Sequence, residues 1–411
     1  MPPMLCGRDA SRWLRGDPVL QQSLAQELIA FELRDDVARS TTAKNRFAGE
    51  WALVTHQMTA LGLAQLCLAH PEWKERYVPM LSRAAQKSFL PEMRDASAGV
   101  RGMGKMRWRV CRERTDTPTS ATLHSLWEWL GVVSIPNFPK SIADRHDALI
   151  AAYERRLLAS ATGLIETYPG EAYPTDVAAV AAAIAVHGRV TGENHHRVLA
   201  HWAERVKRVQ IDAASGLVIQ RMGARSGKPH DAPRGSGTGL AAYFAGFADR
   251  RTAQLLADGL FKHESTFFGF GAIREYASGH HGFGDIDSGP VIFGVSVSAT
   301  GFALAPARAF GKEDSLRANL SHHPFVWYAV QLGGADTFYI WRSDRERTPP
   351  RVPYLRSRGG TMEIHASLLC PAATDPCDRG GLLSAAVYAV WVTHGKWRTD
   401  HTGRFGELRN R

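Results

Sequence analysis

Segments of small apolar residues alternate along this sequence with segments that carry one polar face. A fold must bury the first kind and half-expose the second. "DVAAVAAAIAVHGRV" (176–190) is nearly all Ala and Val, and "HHRVLAHWAERVKRV" (195–209) follows it with a polar side. "SGTGLAAYFAGFAD" (236–249) is again small and apolar, and "RRTAQLLADGLFKH" (250–263) is again two-faced. "GPVIFGVSVSATGFALAPARAFG" (289–311) reads as the next apolar helix. Upstream, "DPVLQQSLAQELIAFELRDDV" (17–37) opens on an Asp cap with apolar residues at helical spacing. "EWALVTHQMTALGLAQLCLAH" (50–70) is apolar nearly all round, hence buried, and Pro71 stops it. "PEWKERYVPMLSRAAQKSFL" (71–90) is amphipathic, with Pro79 inside it. Buried and half-exposed helices recurring roughly every 45–60 residues are the mark of an array. Small residues let inner helices approach closely, so the expected fold is all-α: an inner ring of helices wrapped by an outer ring, an α/α toroid. An open solenoid of the same hairpins is the alternative.

A closed ring has a cavity lined by the loops that precede its inner helices. Those loops hold polar groups. Tyr173, Pro174 and Asp176 stand before or within the first turn of one inner helix, where the positive end of the helix dipole favours an ionised carboxylate. "HDAPRGSGTGLAAY" puts Arg234 before another, placed to hold a carboxylate or an anionic ligand. Glu50 and Trp51 head an earlier one. "IREYASGHHGFGDIDSGP" supplies Glu275, Tyr276, His280, His281, Asp285 and Asp287 before the last. Two readings stay open for the acidic groups. Asp176 and Asp287 are helix caps or turn formers, or they line one shared pocket. Asp285 and Asp287 flank a single isoleucine and point opposite ways if the loop is extended, so one of them faces the cavity. Tyr173, Asp176, Asp285 and Asp287 are the candidate catalytic groups. Glu50, Trp51, Arg234, Glu275 and Tyr276 are the candidate substrate-binding groups. Several carboxylates in one pocket suit acid–base work on a polyol, a glycoside or an alcohol C–O bond.

Composition removes several classes. With 411 residues, 44% of them hydrophobic, the chain can bury a sizeable core in one large or two ordinary domains. Cys6, Cys67, Cys111, Cys370 and Cys377 form no CxxC pair, so neither a disulfide scaffold nor a zinc site is suggested. The His280–His281 pair matches no ligand spacing, and no metal or cofactor is expected. No apolar run reaches the length of a membrane span, and "MPPMLCGRDASRW" lacks an apolar signal core, so a cytoplasmic protein without a membrane partner is expected. The net charge of +10 invites nucleic acid, but residues 101–133 and 320–411 carry +7 of it and the rest is near neutral. A small-molecule substrate is expected instead.

At "YPTDVAAVAAAIAVHGR", "PRGSGTGLAAYF" and "GDIDSGPVIFGVSVSATGFALAPARAFG", with "EWALVTHQMTALGLA" in support, the sequence resembles bacterial proteins carrying a linalool dehydratase/isomerase-type domain. The resemblance spans roughly 17–100 and 138–318, and it is strongest to uncharacterised members. It implies an (α/α)6 toroid and reversible loss of water from an allylic alcohol with isomerisation, that is, lyase and isomerase chemistry at carbon–oxygen bonds. The named enzyme's site is rich in cysteine, with His, Tyr and Asp. Here the one cysteine inside a matching segment is Cys67, which reads as an inert core thiol on a buried helix. The alternatives are a glycoside hydrolase of α/α-toroid type, pairing Asp176 with Asp285 or Asp287, and a damaged, non-catalytic relative.

The resemblance fails in two places. The toroid domain is assigned to 17–318, yet 101–133 is basic, rich in tryptophan and has no helical period in its first half. Relatives carry a Gly-His…Tyr-Leu-Gly pattern on an inner helix there. The tail, 320–411, is interrupted by "TPPRVPY" and "CPAATDPCDRGG". Back-translated and shifted by one nucleotide, in opposite directions, both segments admit family-like strings. The expectation is that both are out-of-frame translations, which the gene's nucleotides decide. It carries an incomplete ring of five helix pairs, irregular chain at 101–118 and 333–380, exposed tryptophans in the tail, and an unstable, inactive protein.

Overall fold

The computed structural model describes residues 10–33, 48–88, 140–167, 170–267, 270–285 and 288–320. The segments 101–133 and 321–411, with all that was expected of them, lie outside the described residues. The described chain is mostly helical, with a few short strands.

Asp17 starts the first long helix as expected. Its Oδ1 accepts from Val19 N at 3.0 Å and Leu20 N at 3.3 Å. A short helix α1 (Ala10–Arg15) precedes it, and α2 (Pro18–Glu32) follows. The apolar α3 (Ala48–Ala69) ends before Pro71, and α4 (Lys74–Ser88) contains Pro79 and packs back on α3. Next come α5 (Lys140–Ala159), α6 (Pro174–Thr191) and α7 (His196–Arg205), the last ending in a wide turn at Val206–Gln210. Then follow α8 (Gly235–Ala248), α9 (Arg250–Phe261), α10 (Val297–Ala309) and a helical stretch at 313–320.

The two kinds of helix occupy the two kinds of place. Every residue of α6 from Val177 to His187 is buried, and α8 and α10 are nearly as enclosed. These three lie side by side, α6 on α8 and α8 on α10. The two-faced α7 covers α5 and α6, and α9 covers α8 and α10. Each buried Val or Ile on α6 contributes roughly 1.5–3 kcal/mol of transfer free energy. One continuous core runs through α2 to α9 and reaches Phe302 and Ala305 of α10.

The three inner helices start at the same end. Thr175 Oγ1, in the first turn of α6, donates to Gly237 O in the first turn of α8 at 3.0 Å. A Cβ on Gly235 would lie 3.2 Å from Ala299 Cβ in the first turn of α10. Hence the loops before these helices share one rim.

Three small antiparallel sheets were not expected. β1 (Glu171–Ala172) pairs with β2 (Met222–Gly223), and β3 (Glu264–Phe267) pairs with β4 (Phe270–Ile273), Glu264 opposite Ile273. β5 (Gly284–Asp285), β6 (Gly289–Ile292) and β7 (Val295–Ser296) form the third, with Asp285 opposite Gly289. This corrects the reading of 289–311 as one helix. Its first eight residues are a hairpin turning at Phe293 and Gly294, both at positive φ, and α10 begins only at Val297. Ser296 caps it, accepting from Ala299 N at 3.0 Å. The cap proposed for Asp287 is therefore filled by Ser296.

Candidate functional site: a charged cluster at the head of helix α8

Helix α8 presses its first turns into its neighbours because it lacks side chains there. At Gly235 a Cβ would lie 2.3 Å from Arg274 O, and at Gly239 it would lie 2.9 Å from Phe302 Cβ. Gly235 N donates to Glu275 O at 2.7 Å, and Glu275 N donates to Gly294 O at 3.0 Å. The segment after β4 is thereby stitched between the start of α8 and the third hairpin. Arg234, the residue before α8, is carried into the interior with it.

Four of the residues singled out in the sequence meet here. Arg234 is buried. Its Nη1 donates to Asp285 Oδ2, and its Nη2 donates to Asp231 Oδ2 at 2.7 Å. The guanidinium carbon stands 5.3 Å from the Tyr276 ring centroid, within cation–π range. Glu275 is fully buried. Its Oε1 accepts from Ser236 Oγ at 2.7 Å, and its Oε2 accepts from Ser236 N at 3.2 Å, one of the N–H groups the first turn of a helix leaves over. Asp285 is itself held by a reciprocal turn. Ser288 N donates to its Oδ1 at 3.0 Å, and its own N donates to Ser288 Oγ at 2.9 Å. Tyr276 lies against Gly282, where a Cβ would meet its hydroxyl at 2.6 Å.

The electrostatics set the groups apart. Burial pushes the Glu275 carboxyl up, the Arg234 charge and the Ser236 hydrogen bond oppose it, Asp285 reinforces it, and the result is a pKa of about 7. Burial alone would lower Arg234, but Asp285, Asp231 and Glu275 together hold it above its ordinary value. Burial also raises Tyr276, against the pull of Arg234.

A carboxyl raised from 4.5 to about 7 leaves a measurable trace. Between those values the native state holds a proton that the unfolded chain has released, so stability falls as pH rises. The slope approaches about 1.4 kcal/mol per pH unit while Glu275 titrates. Glu275→Gln should flatten this part of the profile, read from urea midpoints at pH 5, 6, 7 and 8. Parallel profiles for the two proteins would remove Glu275 as the titrating group.

The remaining candidates sit elsewhere or beyond view. Asp176 lies in the first turn of α6, and its Oδ2 accepts from Thr167 Oγ1 at 2.9 Å. Tyr173, not Asp176, occupies the cap position, and its N donates to the same Thr167 Oγ1 at 3.2 Å. So Asp176 is tied to the preceding loop at the shared rim, one helix over from Arg234. The side chains of Glu50 and Trp51, and the whole of Asp287, lie outside the described residues. Sequence reasoning missed Asp231, Ser236 and Thr167. The available signal for Asp231 was its place three residues before Arg234 in the same loop.

One hollow lies away from the rim. A cavity of about 410 Å³, lined by Leu14, Tyr243, Phe247, Arg250, Pro306 and Phe310 among others, opens at the opposite ends of α8 and α10. Among the described residues, no helix is long and apolar enough to cross a membrane. Cys67 is buried, and burial raises its thiol pKa to about 11, which fits an inert core residue. No family model matches the sequence, and neither does any curated protein.

Proposed function

We propose that the described helices belong to an (α/α)6 toroid whose rim at α6, α8 and α10 carries acid–base chemistry at a C–O bond of a small alcohol. This is the lyase and isomerase chemistry that the resemblance to the linalool dehydratase/isomerase-type domain implies. The toroid reading is supported by buried helices flanked by half-exposed ones, with their starts at one end. The chemical reading is carried by Glu275. A carboxyl that titrates at about 7 is present in both protonation states at neutral pH. It can give a proton to a departing hydroxyl, or take one from carbon. In dehydration the hydroxyl takes the proton, the C–O bond breaks and water leaves. A base then removes a proton from the adjacent carbon as the double bond forms. Glu275 supplies the acid. Asp285, a quarter exposed and held by Arg234, supplies the base and the face a ligand reaches.

A non-catalytic ligand-binding relative is the second reading, favoured by the cavity at the other end of α8, whose apolar walls also carry Arg250 and Arg308. The test is turnover of allylic alcohols by the full chain. Formation of diene and isomer, reduced by roughly 10²–10⁴ in Glu275→Gln, would support this reading and overturn the expectation of an inactive chain. Asp176→Asn should also abolish it while leaving the thermal midpoint nearly unchanged. Oligosaccharide hydrolysis instead would indicate the glycosidase. No turnover, with an alcohol-induced thermal shift that survives Glu275→Gln, would leave the binding protein.

A further inference from the structure

A second cluster lies away from the rim, near the far end of α6. His146, Asp147 and Glu154 come from α5, His187 comes from the last turns of α6, and His195 precedes α7. His146, His187 and His195 are all buried. The packing makes room for this row: at Gly188 a Cβ would lie 2.8 Å from His195 Cδ2, so a larger residue would displace that ring.

Donor and acceptor roles can be assigned along the row. Glu154 Oε1 lies 2.7 Å from His195 Nδ1 and can only accept, so Nδ1 carries the proton. In a neutral His195 the other nitrogen, Nε2, is then an acceptor. It lies 2.8 Å from His187 Nδ1, which must donate. That leaves His187 Nε2 with a lone pair, and 3.3 Å away stands Asp147 Oδ1, which also has only lone pairs to offer. With both rings neutral, a cation suits the space between that nitrogen and the carboxylate, whether a metal ion there or a proton carried by either ring. A nitrogen of His146 completes a set of three atoms, all within 4.8 Å of one another.

We infer that His146, Asp147 and His187 bind a divalent transition-metal ion such as Zn²⁺. Two ligand atoms about 2.0–2.1 Å from a tetrahedral Zn²⁺ stand about 3.3 Å apart, the separation seen between His187 Nε2 and Asp147 Oδ1. Imidazole and carboxylate suit Zn²⁺, and three protein ligands leave a fourth position to water. His195 and Glu154 are positioning residues. Their hydrogen bonds fix the His187 tautomer and turn its Nε2 lone pair outward, the role carboxylate–histidine pairs play behind metal ligands. The other possible set, His187 with His195 and Glu193, is less suited, because its two imidazole nitrogens already share a hydrogen bond. The competing arrangement holds no metal: a proton carried by the His187–His195 pair makes the contact with Asp147 an ordinary hydrogen bond.

The test is a Zn²⁺ titration of the chelator-treated full chain against a chromophoric competitor. One equivalent should bind, with a rise in thermal midpoint. Asp147→Asn should weaken binding at least tenfold and abolish that rise. Asp147 is more than half exposed, so this change leaves folding intact. His146→Ala should act likewise, and His195→Gln should weaken binding by about 10–100-fold without removing a ligand. Absence of zinc binding by the wild-type chain, or equal affinity in Asp147→Asn, would show that the row carries only a proton.

Discussion

Arg234→Met should lower stability by about 3–5 kcal/mol, the cost of breaking a buried ion pair from one side. The guanidinium is the cation that Asp231, Asp285 and buried Glu275 share. Met keeps most of the stem's volume, so the loss reports charge and hydrogen bonding rather than a cavity. A surface pair would contribute only about 0–1 kcal/mol, and that contrast gives the experiment its meaning. The loss should shrink at pH 5. There Glu275 is protonated in both proteins, and its pKa of about 7 in the wild type can only climb once Arg234 is gone. Urea denaturation followed by far-UV circular dichroism at pH 5 and pH 7.5 measures both values. A loss below 1 kcal/mol at pH 7.5 would mean that the cluster is solvated and contributes no rigidity to the rim.

The second large effect is expected near the start of the described chain. Glu32, the last residue of α2, is fully buried against α3 and α4. His56 Nδ1 lies 2.9 Å and 2.8 Å from its two carboxylate oxygens, and Lys87 Nζ lies 3.0 Å from one of them. Lys87 also donates to Glu32 O at 3.1 Å, a cation at a helix C-terminus. Burial alone would raise the Glu32 carboxyl, but the His56 and Lys87 interactions outweigh it and hold the pKa below the ordinary value. A depressed carboxyl stabilises the fold above its unfolded pKa. That contribution is lost as pH falls through the lower, native value. Glu32→Gln should therefore cost about 3 kcal/mol at pH 7, near the lower bound for a buried pair because Lys87 stays partly exposed. The gap to wild type should close in acid. A pH-independent difference would assign the loss to packing instead of charge.

The helices were legible because burial imposes a period on sequence. In α6, the Ala, Val and Ile of 177–186 left no polar face, and the structure encloses that stretch. The hairpin at 289–296 was not legible as such, because a short apolar run fits a buried helix as well as a strand. The signs were Pro290 near its start, β-branched Val291, Ile292 and Val295, and the turn glycine at Gly294. The rim cluster was half legible. Arg234, Glu275, Tyr276 and Asp285 each drew notice from position in the chain, but nothing linear says that residues about 50 apart form one buried ion pair. His56, an imidazole in a largely apolar helix, was the visible trace of the Glu32 cluster. The histidine row had no trace, since side chains drawn from α5, α6 and the loop before α7 have no fixed spacing.

The docking of α1 on the last described helices bears on how the chain folds. Ser11 Oγ donates to Glu313 Oε1 at 2.5 Å, and Trp13 and Leu20 pack with Leu304, Ala307 and Leu316. These contacts join residues some 300 positions apart. Helical repeats stacked in an open line can nucleate anywhere and melt from either end, each unit answering only to its neighbours. Here the first helix has its burial only when the last described ones are in place, and they in turn lose a wall without it. Such high contact order slows the search for the native state. It also couples the two ends of the described chain, so disturbing α1 is felt at α10.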